Sequence, residues 1–422
     1  MKQTASVIST YSADVMGVCS ALFELGGMTV MHDASGCNST YTTHDEPRWY
    51  DMDSMVYISG LSEMEAIMGD DEKLIEDICL AAEELEPAFI AIAGTPIPAM
   101  TGFDFEAVAE VIEQRTGIPS FGFATTGMNT YIHGASMALA GIARRFVDKP
   151  TPRVTEMTEG VILSEAKDHS EKIKVNILGL TPLDFSINGQ DRSIAEWLES
   201  EGFEVVSKWA MGSDLDEIRR AGEADINLVV SASGLGAARV LHERFGMPYA
   251  VGVPVGNELP GLLADQMILW LRGQVPGPNG TGTCPLSHSE ISVESGVFLG
   301  GRQSEDGRSY DKGFAAVIGE GVTSLSLASS IELECGIPAR VLCATECPED
   351  ILRECDRLTP DEDDIIPELE GADFVIADPL YRPIVPEGAK FIALPHEAFS
   401  GRIYRSDIPD LIKDPDAIFK QF

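Results

Sequence analysis

Short apolar runs alternate along this chain with longer stretches whose apolar residues recur every three to four positions. Met28–His32 (MTVMH), Met55–Ile58 (MVYI), Ala88–Ala93 (AFIAIA) and Ser120–Ala124 (SFGFA) have the length and composition of buried strands. Between them, Asp71–Glu84 and Phe105–Thr116 carry apolar residues at helical spacing. The second of these runs into TGIPS, where Gly117 can take the left-handed conformation that ends a helix and Pro119 cannot continue one. Strands alternating with helices predict parallel βαβ units.

The alternation lapses over residues 148–172, which are polar and weakly periodic, and this is the best domain boundary. It resumes at KVNILGL (174–180). Helix Ser193–Ser200, strand Phe203–Ser207, helix Asp214–Ala221, strand Ile226–Ser231, helix Gly236–Phe245 and strand Tyr249–Val253 follow. A second lapse, residues 275–311, is rich in Gly, Pro and Ser. A third series starts at FAAVIGEG (314–321) and continues through ARVLCA (339–344), DFVIAD (373–378) and KFIAL (390–394). The expectation is an α/β chain of three Rossmann-like domains with parallel sheets, over 1–150, 151–285 and 286–422. A length of 422 residues suits two or three domains of roughly 100–200 residues each.

Charge narrows the function classes. The formal net charge of −38 would repel a nucleic acid or an anionic membrane, and no Lys/Arg cluster offsets it. No apolar run approaches the ~20 residues that span a bilayer, and MKQTASVISTYSADVMG lacks a signal-peptide core, so the expected compartment is the cytoplasm. There the eight cysteines are expected to be thiols: small buried residues, metal or cluster ligands, or reactive groups. No Walker A motif occurs, and Gly234-Leu-Gly236 and Gly319-Glu-Gly321 are lone GxG turns, so nucleotide binding by this chain is not supported.

Candidate chemistry begins at MHDASGC, residues 31–37. Open parallel sheets bind ligands beyond the carboxyl ends of their strands. Cys37 follows such an end, and Gly36 would let the backbone approach a bulky group and free N–H donors for a thiolate or an anionic cluster. A soft thiolate suits an iron–sulfur cluster; a half-buried structural cysteine is the alternative. His44-Asp45 could form a general-acid pair beside the cluster, or be satisfied loop residues. Arg48, Trp49 and Tyr50 could line a substrate or docking surface. Cys343, Cys347 and Cys355 have the spacing C-x3-C-x7-C, which is not a standard zinc or ferredoxin pattern. Cys343 reads as strand core, Cys355 as helix core, and Cys347-Pro348 as a loop at a ligand-facing end. Cys284 with His288 is a weak C-x3-H match.

The order of these features resembles the nitrogenase component 1 family. That family comprises the nitrogenase α and β subunits, cofactor-assembly scaffolds, and the tetrapyrrole reductases of chlorophyll and nickel-cofactor synthesis. Its HGPxGC turn is matched by His32-Asp33-Ala34-Ser35-Gly36-Cys37, and its following segments by Met68–Leu74 and Gly94–Phe105. The likeness continues through INLVVSASGLGAARVLHERFGMPYAVGVPVG (226–256), FAAVIGEGVTSLSLASSIELECGIPARV and LPHEAFSGRIYR. It implies a three-domain fold, an iron–sulfur cluster, [4Fe-4S] first among the types, and electrons from a separate ATP-hydrolysing iron protein. It also implies a reductase component acting on a substrate other than dinitrogen, or a non-catalytic scaffold for cluster or cofactor assembly.

Departures from the family pattern matter as much. Where the family has further cysteines, this chain has Tyr11 or a neighbour, and Thr95 or Pro96. Ser231 stands where the nitrogenase cofactor needs a thiolate, and His396 is a counterpart of its His ligand one residue out of register. No molybdenum cofactor is therefore expected. A cluster wants about four ligands, so Cys37 needs help. Cys19 is the candidate for a second ligand, although eight residues past Tyr11 it is turned about 80° away at roughly 100° per residue, and a core role is the alternative. Two Cys37 in a homodimer, or a sister subunit in a heteromer, could complete the set.

Overall fold

The computed structural model describes residues 12–34, 36, 45–149, 172–271, 313–348 and 350–422. Cys37, His44, Cys284 and His288 lie outside the described residues. So do most of residues 148–172 and 275–311.

Thirteen strands among the described residues form three wholly parallel sheets, as the alternation predicts. The first contains β1 (Met28–His32), β2 (Met55–Ile58), β3 (Ile90–Gly94) and β4 (Ser120–Phe123), in spatial order β2-β1-β3-β4. The second contains β5 (Ile173–Leu178), β6 (Phe203–Lys208), β7 (Ile226–Val229) and β8 (Tyr249–Val251), in the equivalent order β6-β5-β7-β8. The third contains β9 (Phe314–Gly319), β10 (Ala339–Cys343), β11 (Arg357–Leu358), β12 (Ala372–Ala377) and β13 (Lys390–Ala393), in order β11-β10-β9-β12-β13. Each chain path starts in mid-sheet, winds to one edge, then crosses to the other side. Each sheet therefore has one place, between β1 and β3, β5 and β7, or β9 and β12, where adjacent strand ends diverge into a crevice. The central strands β1, β3 and β9 are buried at every position, which is why they read as continuous apolar runs.

Helices cover the sheets. They include α1 (Asp14–Leu22), α2 (Asp71–Leu85), α3 (Phe105–Thr116), α4 (Tyr131–Arg145), α5 (Gln190–Ser200), α6 (Leu235–Phe245) and α7 (Gly321–Cys335). Gly117 caps α3 at φ 72°, as TGIPS predicts. Among the described residues, no helix is long and apolar enough to cross a membrane.

Two sequence readings are corrected. Cys355 is not in a helix: it lies half-buried in a turn before β11. The neighbouring Asp356 carboxylate accepts from Val341 N at 2.8 Å and Arg353 N at 2.9 Å, fixing the turn instead. Arg48 does not line a surface. It is buried, with ion pairs to Glu46 (2.6 Å) and Glu24 (2.8 Å), and it donates to the carbonyls of Ser20 and Ala210, both at 2.8 Å. Five donors in a fixed fork let one guanidinium satisfy that many acceptors at once.

The tightest packing is between α1 and α4. A Cβ at Gly134 would lie 1.8 Å from Asp14 O, and one at Gly17 would lie 2.0 Å from Tyr131 O. Backbone contacts of that kind cannot be relieved by a rotamer change. Replacing Gly134 with Ala should lower unfolding stability in urea by about 1–3 kcal/mol. Gly261→Ala, at a position with nothing within 4 Å of the added carbon, serves as control and should change it by no more than about 0.5 kcal/mol. Equal stabilities for the two variants would refute the close crossing.

Candidate functional site

Residues just past the strand ends of the second and third sheets converge. After β5, Thr181 starts a short turn of helix. Its hydroxyl donates to Asp184 Oδ2 at 2.7 Å, and the Asp184 N–H donates back to it at 3.2 Å. Gly179, at φ 88°, keeps this turn against the loop after β7: an added Cβ would meet Gly234 N at 2.8 Å and Ser231 O at 3.0 Å. Ser231, wholly buried beyond β7, shares a hydrogen bond with the Ser233 hydroxyl at 2.9 Å. Glu320 follows β9 and accepts from Val322 N, Thr323 N and Ala232 N at 2.9–3.0 Å, so it caps α7 and ties the third sheet to the second.

His396 follows β13. Its backbone N–H donates to the Asp378 carboxylate beyond β12 at 2.9 Å, and its Nδ1 accepts from Ala398 N at 3.3 Å. That acceptor role fixes the ring with its proton on Nε2 when neutral. Nε2 is buried, lies 3.7 Å from Asp184 Oδ1 and has no hydrogen-bond partner among the described residues. Phe399 packs edge-on against the ring, with centroids 4.8 Å apart. The first domain contributes Tyr131, the first residue of α4, whose phenol donates to Asp184 Oδ1. Its position is set by Asp14, whose buried carboxylate accepts from Gly127 N (2.7 Å), Thr126 N (3.0 Å) and Asn129 Nδ2 (3.1 Å). Ser12 completes the link: it accepts from Tyr131 N at 3.0 Å and donates its own N–H to Ala398 O at 3.1 Å.

The electrostatics favour neutral, proton-bearing groups. Burial, reinforced by the nearby Glu320 carboxylate, pushes the Asp184 carboxyl up to about 7. Burial raises the Tyr131 phenol well above its ordinary value, with the Asp184 charge adding to the effect. Burial alone pushes His396 down to about 3. A carboxyl, a phenol and an imidazole are thus held within one buried cluster, and the hydrogen bond between Tyr131 and Asp184 is a contact along which a proton can pass.

The crevice of the first sheet is less complete in the described residues. His32 is buried at the end of β1, with Nδ1 2.9 Å from Ser59 Oγ and the Phe103 ring tilted against it, centroids 4.4 Å apart. Burial lowers its ring to about 4, so it is a neutral structural histidine. Gly36 is exposed, with nothing within 4 Å of an added Cβ. Cys19 lies in the core on α1, and burial, followed by the Glu46 carboxylate, drives its thiol far above the ordinary range. Asp45 faces the third domain: its Oδ1 is 3.9 Å from Arg402 Nη1, and its carbonyl accepts from Arg405 at 3.3 Å. Among the described residues, no group of three His, Cys, Asp or Glu side chains is placed to hold a metal. The described part of the chain therefore does not by itself fit a cluster. Nor do Ser231 and His396 fit a cofactor that demands a thiolate, because the Ser231 hydroxyl is a poor soft-metal ligand and is engaged with Ser233.

Sequence reasoning brought Ser231 and His396 into view through the resemblance, but missed Tyr131, Asp184 and Glu320. The available signal was positional: each sits within a few residues of a strand end or a helix start.

The two perturbed groups tilt stability in opposite directions. Asp184 binds its proton more readily folded than unfolded, so its contribution to stability falls as pH rises from its unfolded value of 3.8 to about 7. His396 resists protonation when folded, so stability is lost as pH falls from 6.5 towards about 3. Each slope has a limit of about 1.4 kcal/mol per pH unit. Relative to wild type in urea titrations, His396→Gln should therefore make stability fall more steeply, or rise less, between about pH 4 and 6.5, and Asp184→Asn should do the reverse. Parallel profiles for all three proteins would contradict this electrostatic account.

The comparisons with known proteins agree with this architecture. The family model for nitrogenase component 1 type oxidoreductases matches residues 14–259. A nitrogenase iron-molybdenum cofactor biosynthesis protein NifE from Clostridium pasteurianum is 28% identical over 261 residues, covering 58% of this chain and 51% of that protein. One subunit of a light-independent protochlorophyllide reductase from Prosthecochloris aestuarii is 38% identical over 90 residues, or 21% of this chain and 16% of that one. This chain spans about half the length of the first of these relatives and less of the second. A solved structure titled nitrogenase Cp1 at pH 6.5 covers 100% of this chain and 94% of its own, with TM-score 0.64 and 16% identity, a likeness of fold. With its family model matched across the first and second sheets, and a three-sheet parallel fold shared with a nitrogenase, the chain belongs to the nitrogenase component 1 type oxidoreductases.

Proposed function

We propose that this chain is the substrate-reducing component of an ATP-dependent, nitrogenase-like reductase acting in the cytoplasm on a substrate other than dinitrogen. The observation that carries the reading is the Tyr131–Asp184–His396 cluster at the meeting of the three sheets. Reducing an unsaturated bond needs protons as well as electrons. This cluster holds protons in water-poor surroundings, where a carboxyl pushed up to about 7 can release and recover one near neutrality.

In this reading Cys37 would hold an iron–sulfur cluster, and that group would supply single electrons delivered by a separate ATP-hydrolysing iron protein. The lack of a Walker A motif in the chain fits that division of labour. Cys19 serves the core, since its burial opposes the thiolate that a cluster requires. The remaining cluster ligands come from a second Cys37 in a homodimer or from a sister subunit. Tyr131 hands its hydrogen bond to Asp184, Asp184 holds the exchangeable proton, and His396 presents Nε2–H to whatever enters beside it. Ser231 keeps the site free of a thiolate-bound molybdenum cofactor.

A second reading, a scaffold for cofactor assembly, is favoured by one finding: NifE proteins and a NifN protein recur among the relatives, including a NifN from Rippkaea orientalis that is 25% identical over 292 residues. A scaffold would give up its metal cargo in stoichiometric amounts and show no ATP-dependent turnover.

Anaerobically prepared protein, combined with an iron protein and ATP, should oxidise the reduced iron protein in the presence of a suitable unsaturated substrate. Cys37→Ala should lose most of its iron and visible absorption. Tyr131→Phe should keep both and lose turnover by about 10²-fold or more, the usual reach of a positioned proton donor. Equal iron in Cys37→Ala and wild type would remove the cluster from this residue, and molybdenum at one atom per chain would contradict the reading of Ser231.

A further inference from the structure

The loop that follows β10 carries two thiols that the proton-holding cluster does not use. Cys343 is the last residue of β10 and fully buried, whereas Cys347 is 8% exposed. A Cβ added at Gly321 would lie 2.5 Å from Cys347 Sγ and 3.4 Å from Cys343 Sγ. Both sulfurs therefore flank the same point at the start of α7, and glycine is the residue that leaves them room. The neighbouring Cys343 side chain, ahead of burial, pushes the Cys347 thiol far above its ordinary range. Cys343 Sγ also reaches Thr345 O at 3.4 Å.

The pair is not sealed. Glu346, Cys347 and Pro348 line a cleft of about 380 Å³ together with Ile132, His133 and Arg239. That volume admits a small molecule, and Cys347 is the sulfur it would meet.

We propose that Cys343 and Cys347 form a redox-active dithiol that exchanges with small disulfides entering this cleft. The Cys347 thiolate attacks one sulfur of the incoming disulfide, forming a mixed disulfide and releasing the first thiolate. Cys343 then loses its proton and attacks the Cys347 sulfur, releasing the second thiolate and leaving a bond between the two cysteines. Two electrons pass from the pair to the external disulfide, and the two thiol protons end on the two released thiols. Closing an S–S bond of about 2.05 Å draws the 344–348 loop inward. The Glu346 carboxylate on that loop accepts from Thr130 N at 2.8 Å and from the Thr130 hydroxyl. Thr130 precedes Tyr131, so the oxidation state of the pair is transmitted to the start of α4.

The test needs neither substrate nor cluster. Cleavage after Arg340 and Arg353 yields the peptide 341–353, which contains Cys343 and Cys347 and no other cysteine. The full chain is equilibrated in buffers running from fully reduced to fully oxidised dithiothreitol, quenched with an alkylating agent and digested. The expected result is a reversible, two-electron conversion of this peptide to a form lighter by two hydrogen atoms and carrying no alkyl group. Phenylarsine oxide, which grips two adjacent thiols, should protect both cysteines of the reduced wild type together and protect neither in Cys347→Ser. A peptide that keeps two alkylatable thiols throughout the series overturns the proposal. So does a product that stops as a mixed disulfide on Cys347 alone.

Discussion

Everything at the candidate site depends on how closely α1 can approach α4. Gly17 and Gly134 bring two helix backbones to a separation that no side chain at either position would allow. Asp14, at the start of α1, then reaches the loop ahead of α4 and satisfies three of its N–H donors. A buried carboxyl group with so many donors is fixed in place, because any displacement leaves its oxygens and their donors unsatisfied. The first turn of α4 is held from both sides, and Tyr131 is delivered to a carboxylate in another domain.

From that contact the three sheets act as one frame. Parallel winding leaves each sheet with one crevice, and the chain places its polar residues just past the strands that border it. Thr181 and Asp184 come from one side of the second crevice and Ser231 from the other. Glu320 and Asp378 come from the two sides of the third, with His396 beyond the adjacent strand. The cluster is therefore a product of topology as much as of residue type. Its chemistry follows from burial. Burial makes ionisation costly, so the carboxyl and the phenol keep their protons and the imidazole stays neutral.

Much of the fold was legible in the sequence, because a strand in a doubly covered parallel sheet must be apolar throughout. MTVMH and FAAVIG announce themselves in this way, and TGIPS marks a helix end through residues whose backbone preferences leave little choice. The site was less legible. Ser231 and His396 could be named from a resemblance, yet Asp184 and Tyr131 look ordinary in PLDF and TYIHG. Their importance comes from a contact between residues 53 positions apart in separate domains, which no local pattern encodes. Arg48 and Cys355 were misread for the same reason: the partners that bury the arginine and fix the turn lie elsewhere in the chain.

The central claim is that Asp184 carries a proton near neutral pH because the three domains exclude water around it. Infrared difference spectroscopy of wild type and Asp184→Asn between about pH 5 and pH 9 reads that proton directly, since a protonated carboxyl in a dry site has a carbonyl stretch distinct from that of a carboxylate. The account predicts a protonated-carboxyl band at about pH 5, absent from Asp184→Asn, that titrates away near 7. A carboxylate signal from Asp184 throughout that range, with no titrating band, would contradict it.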